Sequence, residues 1–185
     1  MRICGFSSES FVDGPGIRAV IFVQGCDNAC PHCHNPESWD PGGGEEHTVR
    51  DVIKMIKAAA PFVPNRGGTK APRQRKVRGV TFSGGEPFLQ AKELVQVAQA
   101  VKKLGLDITT YTGNTYEQLV QRQDEDITAL LALTDYLIDG PYVHELRNIG
   151  LKFRGSANQR IIDMAATREA GAAVEYEEKS PSGGR

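Results

Sequence analysis

Short apolar runs alternate with helix-period segments along most of this chain, and that alternation leaves few folds open to it. The run Ala19-Val20-Ile21-Phe22-Val23 lies in a strand predicted over 18–24, after the turn signal Asp13-Gly14-Pro15-Gly16. Thr48 is the expected N-cap of a helix over 48–60, with Val52, Ile53, Ile56 and Ala60 at helical spacing. A second strand is predicted over 77–83, followed by a helix over about 90–104 that Gly105 closes. A third strand over 106–112 precedes a helical stretch over 115–133 with a break near Gln123-Asp124. Tyr136-Leu137-Ile138 is the fourth strand, and short strands are expected at 160–162 and 173–176. Residues 61–76, with Pro61, Pro64, Gly67, Gly68 and Pro72, read as a loop.

Strands alternating with helices imply parallel β/α units. A complete eight-unit barrel takes about 250 residues, and this chain has 185. The expected fold is therefore α/β, a partial, open (β/α) barrel of parallel strands with helices outside. It is expected to form one domain over 1–179, with a disordered tail at 180–185. Its functional face should be the C-terminal ends of the strands.

Composition narrows the function classes. No apolar stretch reaches the ~18–20 residues of a membrane helix, and the N-terminus lacks a long apolar secretory core. A cytoplasmic protein is the expectation. Lys and Arg total 22 against 23 Asp and Glu, which argues against a nucleic-acid binder. One basic stretch stands apart, with Arg66, Lys70, Arg73, Arg75, Lys76 and Arg78 and no acid among them. It reads either as a solvated loop or as a docking patch for an acidic partner.

The chemistry is concentrated in Cys26-x-x-x-Cys30-x-x-Cys33, directly after the first apolar run. Four cysteines arranged as three plus one are not a disulfide framework. In a reducing compartment they read as metal-binding or catalytic. Three thiolates on a four-iron cluster would leave one iron open to a small molecule, since a closed site needs four protein ligands. The alternative is a Cys₃His zinc knuckle using His32, His34 or His47. Cys4 is a candidate fourth ligand on either reading, or else a buried small hydrophobe. After the second strand comes Ser83-Gly84-Gly85-Glu86-Pro87. Paired glycines allow close backbone approach to a ligand, and Glu86 adds an anion suited to an ammonium. The same residues also fit a plain strand-to-helix turn started by Pro87.

Together, the cysteine motif and Gly84-Gly85-Glu86-Pro87 resemble the radical S-adenosylmethionine (SAM) superfamily. Val12-Asp13-Gly14-Pro15-Gly16-Ile17-Arg18 resembles the activases of glycyl radical enzymes. The segments 30–39, 111–117, 137–142 and Leu151–Arg160 are similar to activating proteins of anaerobic (class III) ribonucleoside-triphosphate reductases. The resemblance covers about residues 8–163.

The resemblance implies that Cys26, Cys30 and Cys33 hold a [4Fe–4S] cluster whose open iron chelates SAM. It implies that Gly84, Gly85 and Glu86 line the methionine end. His32 takes the position where an aromatic ring usually lies near the adenine, and His34 adjoins the cofactor. Thr112 and Asp139 end strands on the expected face and are candidates to touch cofactor or partner, or else to be solvated. The implied reaction is reductive cleavage of SAM to a 5′-deoxyadenosyl radical, which makes a glycyl radical on the reductase. The cofactor carries that chemistry, so no catalytic acid or base is expected. The implied partners are the anaerobic ribonucleoside-triphosphate reductase and a low-potential flavodoxin or ferredoxin, with no nucleic acid and no membrane. An activase of pyruvate formate-lyase and a non-catalytic zinc-stabilised interaction module are the competing readings.

Overall fold

A computed structural model of the chain describes residues 1–63 and 74–177. In chain order the strands are β1 (Arg2–Ser10), β2 (Arg18–Val23), β3 (Glu45–Glu46), β4 (Phe62–Val63), β5 (Gln74–Arg75), β6 (Gly79–Gly84), β7 (Asp107–Tyr111), β8 (Tyr136–Asp139) and β9 (Arg160–Asp163). The helices are α1 (Val49–Ala59), α2 (Ala91–Lys103), α3 (Tyr116–Gln121), α4 (Glu125–Leu133) and α5 (Met164–Ala170). Seven strands form one sheet in the order β3-β1-β2-β6-β7-β8-β9, and β4 pairs with β5 separately.

The centre of the sheet is parallel. β2 pairs with β6, β6 with β7, and β7 with β8, and the crossovers carry α1, α2 and the α3–α4 pair. Register brings the strand ends level, with Val23 beside Gly84, Phe82 beside Thr110 and Tyr111 beside Ile138. The loops leaving β2, β6, β7 and β8 therefore emerge along one rim. Both flanks run the other way: β1 is antiparallel to β2 and β9 is antiparallel to β8. The sheet stays open, with β3 at one edge and β9 at the other.

β2 reads as a continuous apolar run because it is buried on both faces. Side chains alternate across a strand. Ile21, Val23, Val80, Phe82, Ile108 and Leu137 belong to one core with Val52 and Ile56 of α1, Leu94, Val97 and Val101 of α2, and Ile127 and Leu130 of α4. Burying each such aliphatic side chain contributes roughly 1.5–3 kcal/mol. The opposite face carries Arg18, Thr81 and Thr109, all fully buried. Arg18 donates to Thr81 Oγ1 (2.7 Å), the carbonyls of Val80 and Pro15, and Asp107 Oδ1 (2.5 Å). Thr81 in turn donates to the carbonyl of Asp13, so segment 13–17 is tied across this face.

Helix boundaries follow their caps. Thr48 accepts from the Asp51 amide, as its position predicts. The stretch 115–133 breaks at the expected place: Gln123 has φ +51, and Asp124 caps the next helix by accepting from Ile127. Thr115 and Gln118 form a reciprocal capping box on α3. Several elements, the two-residue β3 among them, escape periodicity. β1 is a largely polar strand near an edge, α5 is short, and β4 and β5 lie within the expected loop. The strand expected at 173–176 reduces to a single bridge between Glu175 and Ile162. Among the described residues no helix is long and apolar enough to cross a membrane.

Candidate functional site

The level strand ends open on one cavity of about 340 Å³, within the roughly 300–1,000 Å³ of small-molecule sites. Its wall takes Cys26, Cys30 and Cys33 from the loop after β2, and Ser83, Gly84 and Gly85 from the end of β6. Thr112 and Gly113 follow β7, Gly140 follows β8, and Tyr142, Gly155 and Gln159 come from the segment that returns to β9.

Main-chain and buried side-chain bonds hold the cysteine loop in shape. Gly25 donates to the carbonyl of Ser38 (2.8 Å), and Cys26 to that of Trp39 (3.1 Å). Gln24 reaches across with its side-chain amide to the carbonyls of Glu37 and Asp40. Cys33 N–H bonds the carbonyl of Cys30 in a tight turn (3.1 Å). Ala29 and His32 stand at φ +42 and +59, left-handed positions that cost non-glycine residues energy and cluster at functional sites. Two thiols accept N–H groups: Cys33 from the Asn35 backbone (3.4 Å) and Cys26 from the Asn28 side chain (3.6 Å). Burial pushes the Cys26 thiol above its ordinary pKa, against the Asn28 hydrogen bonds, which pull it down.

The turn after β6 is packed backbone to backbone on that loop. Gly85 donates to the carbonyl of Val23 (2.8 Å) and Glu86 to that of Gly25 (2.8 Å). Gly84 has φ +97, and a Cβ there would stand 2.6–2.7 Å from the main chain of Phe22 and Val23. A Cβ on Gly85 would overlap the carbonyl of Gly25. The glycines thus let this turn close directly on the cysteine loop, and both line the cavity together with the three cysteines. Among the described residues no three His, Cys, Asp or Glu side chains converge closely enough to hold a single ion. Three cysteines lining one cavity without converging on a single ion suit a polynuclear group wider than one ion together with a small polar ligand.

Glu86 is completely buried and does not line the cavity. Its Oε1 accepts from Phe88 N (3.1 Å). Oε2 accepts from Thr112 Oγ1 (3.0 Å), Gly113 N (3.0 Å), Asn114 Nδ2 (3.1 Å) and Asn28 Nδ2 (3.1 Å). Burial raises its pKa, and the donors from Gly113, Phe88, Thr112 and Asn28 oppose the rise. The carboxylate is thus a post joining three loops of the wall.

The two histidines part company. His34 lines the cavity, with its ring 4.8 Å from that of Tyr142. His32 is outside the lining and stacks on His144, centroids 4.3 Å apart. His47 lies at the end of β3, with its ring nitrogen 3.4 Å from Glu45. Of the two strand-end candidates, Thr112 lines the cavity while supporting Glu86. Asp139 is buried away from it, accepting from the amide of Tyr116 and from Arg160; neither is a solvated strand end. Cys4 is half-buried rather than buried, because it sits near the sheet edge beside a two-residue strand. Its sulfur donates to the carbonyl of Val23 (3.5 Å) and is not part of the cavity wall.

Several wall residues have roles that no local sequence pattern specifies. Gln159 accepts from the amides of Gly155 and Ser156 and donates to the carbonyl of Gly140, which fastens the returning segment to the end of β8. Tyr111 donates to the carbonyl of Phe153 (2.8 Å); burial, then the nearby charge of Asp13, pushes its pKa up. Asn28 could have been singled out only by its place between Cys26 and Cys30. Of the basic stretch, residues 66–73 lie outside the described residues. Lys76 pairs with Glu9 (2.6 Å) and Arg78 with Asp107 (3.0 Å). The tail at 180–185 also lies outside them.

A family model described as a 4Fe-4S single cluster domain matches residues 12–162. The chain is similar to the pyruvate formate-lyase 1-activating enzyme of Escherichia coli strain K12, 36% identical over 165 residues, 89% of this chain and 61% of that protein. It is 37% identical over 127 residues to the pyruvate formate-lyase-activating enzyme of Clostridium pasteurianum, covering 66% of this chain and 49% of that one. With the anaerobic ribonucleoside-triphosphate reductase-activating protein of Vibrio cholerae serotype O1 it shares 35% identity over 154 residues, 81% of this chain and 90% of that protein. The chain thus spans about half to three-fifths of the pyruvate formate-lyase activators.

Proposed function

Because this chain belongs to the radical SAM activases with a single-cluster 4Fe–4S domain, we propose that it installs a glycyl radical on an anaerobic ribonucleoside-triphosphate reductase. Cys26, Cys30 and Cys33 would hold the cluster, and the main chain at Gly84 and Gly85 would take the methionine end of SAM. When bound, cluster and SAM would supply the chemistry, a one-electron reductive cleavage of the C5′–S bond of SAM that releases methionine and leads to loss of a hydrogen atom from a glycine of the partner. The protein's share is to orient and to exclude water. The observation that carries the reading is the one cavity whose lining joins the three cysteines to the glycine turn.

In this reading Glu86 acts from behind the wall, holding the glycine turn, the loop after β7 and Asn28 together. His34 and Tyr142 border the space left for the nucleoside, and His32 braces the loop through His144. No side chain in the cavity is asked to act as an acid or base. An electron donor of flavodoxin or ferredoxin type completes the scheme.

Two observations support this target. The chain matches nearly the whole of the Vibrio reductase-activating protein, and Gly155 and Gln159, from the segment that resembles such proteins, border the cavity. The comparable identity to pyruvate formate-lyase activators sustains a second reading with the same chemistry and another partner. The test is anaerobic incubation of the reconstituted protein with SAM, reductant and each candidate enzyme in turn, read by electron paramagnetic resonance. A glycyl doublet on the reductase is expected. A doublet only on pyruvate formate-lyase would transfer the assignment, and stoichiometric zinc in place of iron would end it.

A further inference from the structure

Asn28 lies inside the cysteine loop, and its carboxamide nitrogen touches two groups at once. Nδ2 is 3.6 Å from Cys26 Sγ and 3.1 Å from Glu86 Oε2. A primary amide has two protons, one for each acceptor. Its seat is closely fitted: a Cβ on Gly113 would stand 2.5 Å from Nδ2 and 2.8 Å from Cγ. Glu86 is itself fixed by Phe88, Thr112, Gly113 and Asn114. The amide is therefore aimed at the sulfur by a buried carboxylate that has no freedom to turn.

We propose that Asn28 is a positioning residue for Cys26, and that its N–H makes a cluster held there easier to reduce. The inference rests on Cys26 being a cluster ligand, as proposed above. Adding an electron places more negative charge on the cluster and its thiolates. A fixed N–H dipole pointing at one of those sulfurs stabilises the reduced form, and hydrogen bonds to the sulfurs are among the factors that set such potentials. Cys33 has a comparable donor from the Asn35 backbone, which side-chain substitution leaves in place. Among the described residues, Asn28 thus controls the side-chain hydrogen bond to a sulfur of the three-cysteine motif, and it links that contact to the turn after β6 and the loop after β7.

The test is a potentiometric titration of the reconstituted protein, read by the electron paramagnetic resonance signal of the reduced cluster. Two variants reach the contact independently: Asn28→Ala removes the amide, and Gly113→Ala keeps it but displaces it. At the wild-type midpoint, the ratio of reduced to oxidised cluster should fall roughly threefold in Asn28→Ala. Gly113→Ala should shift in the same direction. If Asn28→Ala does not load iron, Gly113→Ala alone decides. Wild-type potential in a loaded variant overturns this inference and leaves the function standing. Failure of the wild-type protein to load a four-iron cluster overturns both.

Discussion

The imidazole of His144 lies on that of His32, ring centroids 4.3 Å apart, and joins the segment after β8 to the cysteine loop. Tyr142 reinforces the contact, with its ring against His34 and its hydroxyl 3.2 Å from His144 Nδ1. His144→Ala should free this segment, and trypsin should then cut at exposed Arg147 roughly threefold faster, the scale of one ring pair. Limited proteolysis followed by mass spectrometry measures it, with circular dichroism to show that the fold persists. An unchanged rate would mean that the rings do not hold the segment.

Glu86 should behave as a structural group in the metal-free protein. Glu86→Ala leaves five donors without their acceptor, and a loss of roughly 3–5 kcal/mol is expected, as for a buried charge network losing a member. Glu86→Gln keeps one oxygen and can turn its amide toward Phe88, so the expected cost is about 1–3 kcal/mol. Urea denaturation of the two variants gives the order; equal losses would contradict the account.

Acid should reveal the pair between Arg160 and Glu117. Arg160 holds the Glu117 carboxyl down to about 2. A carboxylate depressed in the folded state stabilises above its unfolded value, near 4.3, and that stabilisation disappears as pH falls toward 2. The side chain of Glu117 is half exposed, so the contribution is about 0–1 kcal/mol. The difference in stability between wild type and Glu117→Gln, followed by thermal melts, should shrink between these pH values. A constant difference would show the pair to be inert.

Cysteine substitution separates the wall from the neighbouring thiol. Cys26→Ala, Cys30→Ala and Cys33→Ala should each lose the four-iron complement, measured as iron and sulfide after anaerobic reconstitution. Cys4→Ala should keep it, since the Cys4 sulfur bonds the carbonyl of Val23 and stands outside the cavity. Iron loss in Cys4→Ala would add a ligand.

What the sequence made legible was whatever has a period or a punctuation mark. The four parallel strands, the capped helices and the break before Asp124 all announce themselves by apolar spacing, glycine or a capping residue. The cysteine loop and the glycine turn were equally plain. The extent of β1 was missed because a strand next to the sheet edge can be polar, with Glu9 and Ser10 in it. The inward role of Glu86 was missed because its partners lie 26–28 residues ahead or 58 behind. Only the register of β6 with β2 and β7 brings them together. Tyr142 and Gln159 lie in segments that carry the family resemblance, but their contacts were illegible for the same reason: their neighbours are chosen by topology, not by local pattern.

The seam between Gly85 and Gly25 has a mechanical consequence. Main chain meets main chain there, with no rotamer between them to absorb a displacement. A tilt at the end of β6 is therefore handed on undamped to the cysteine loop, and the two sides of the cavity travel as one rigid jaw.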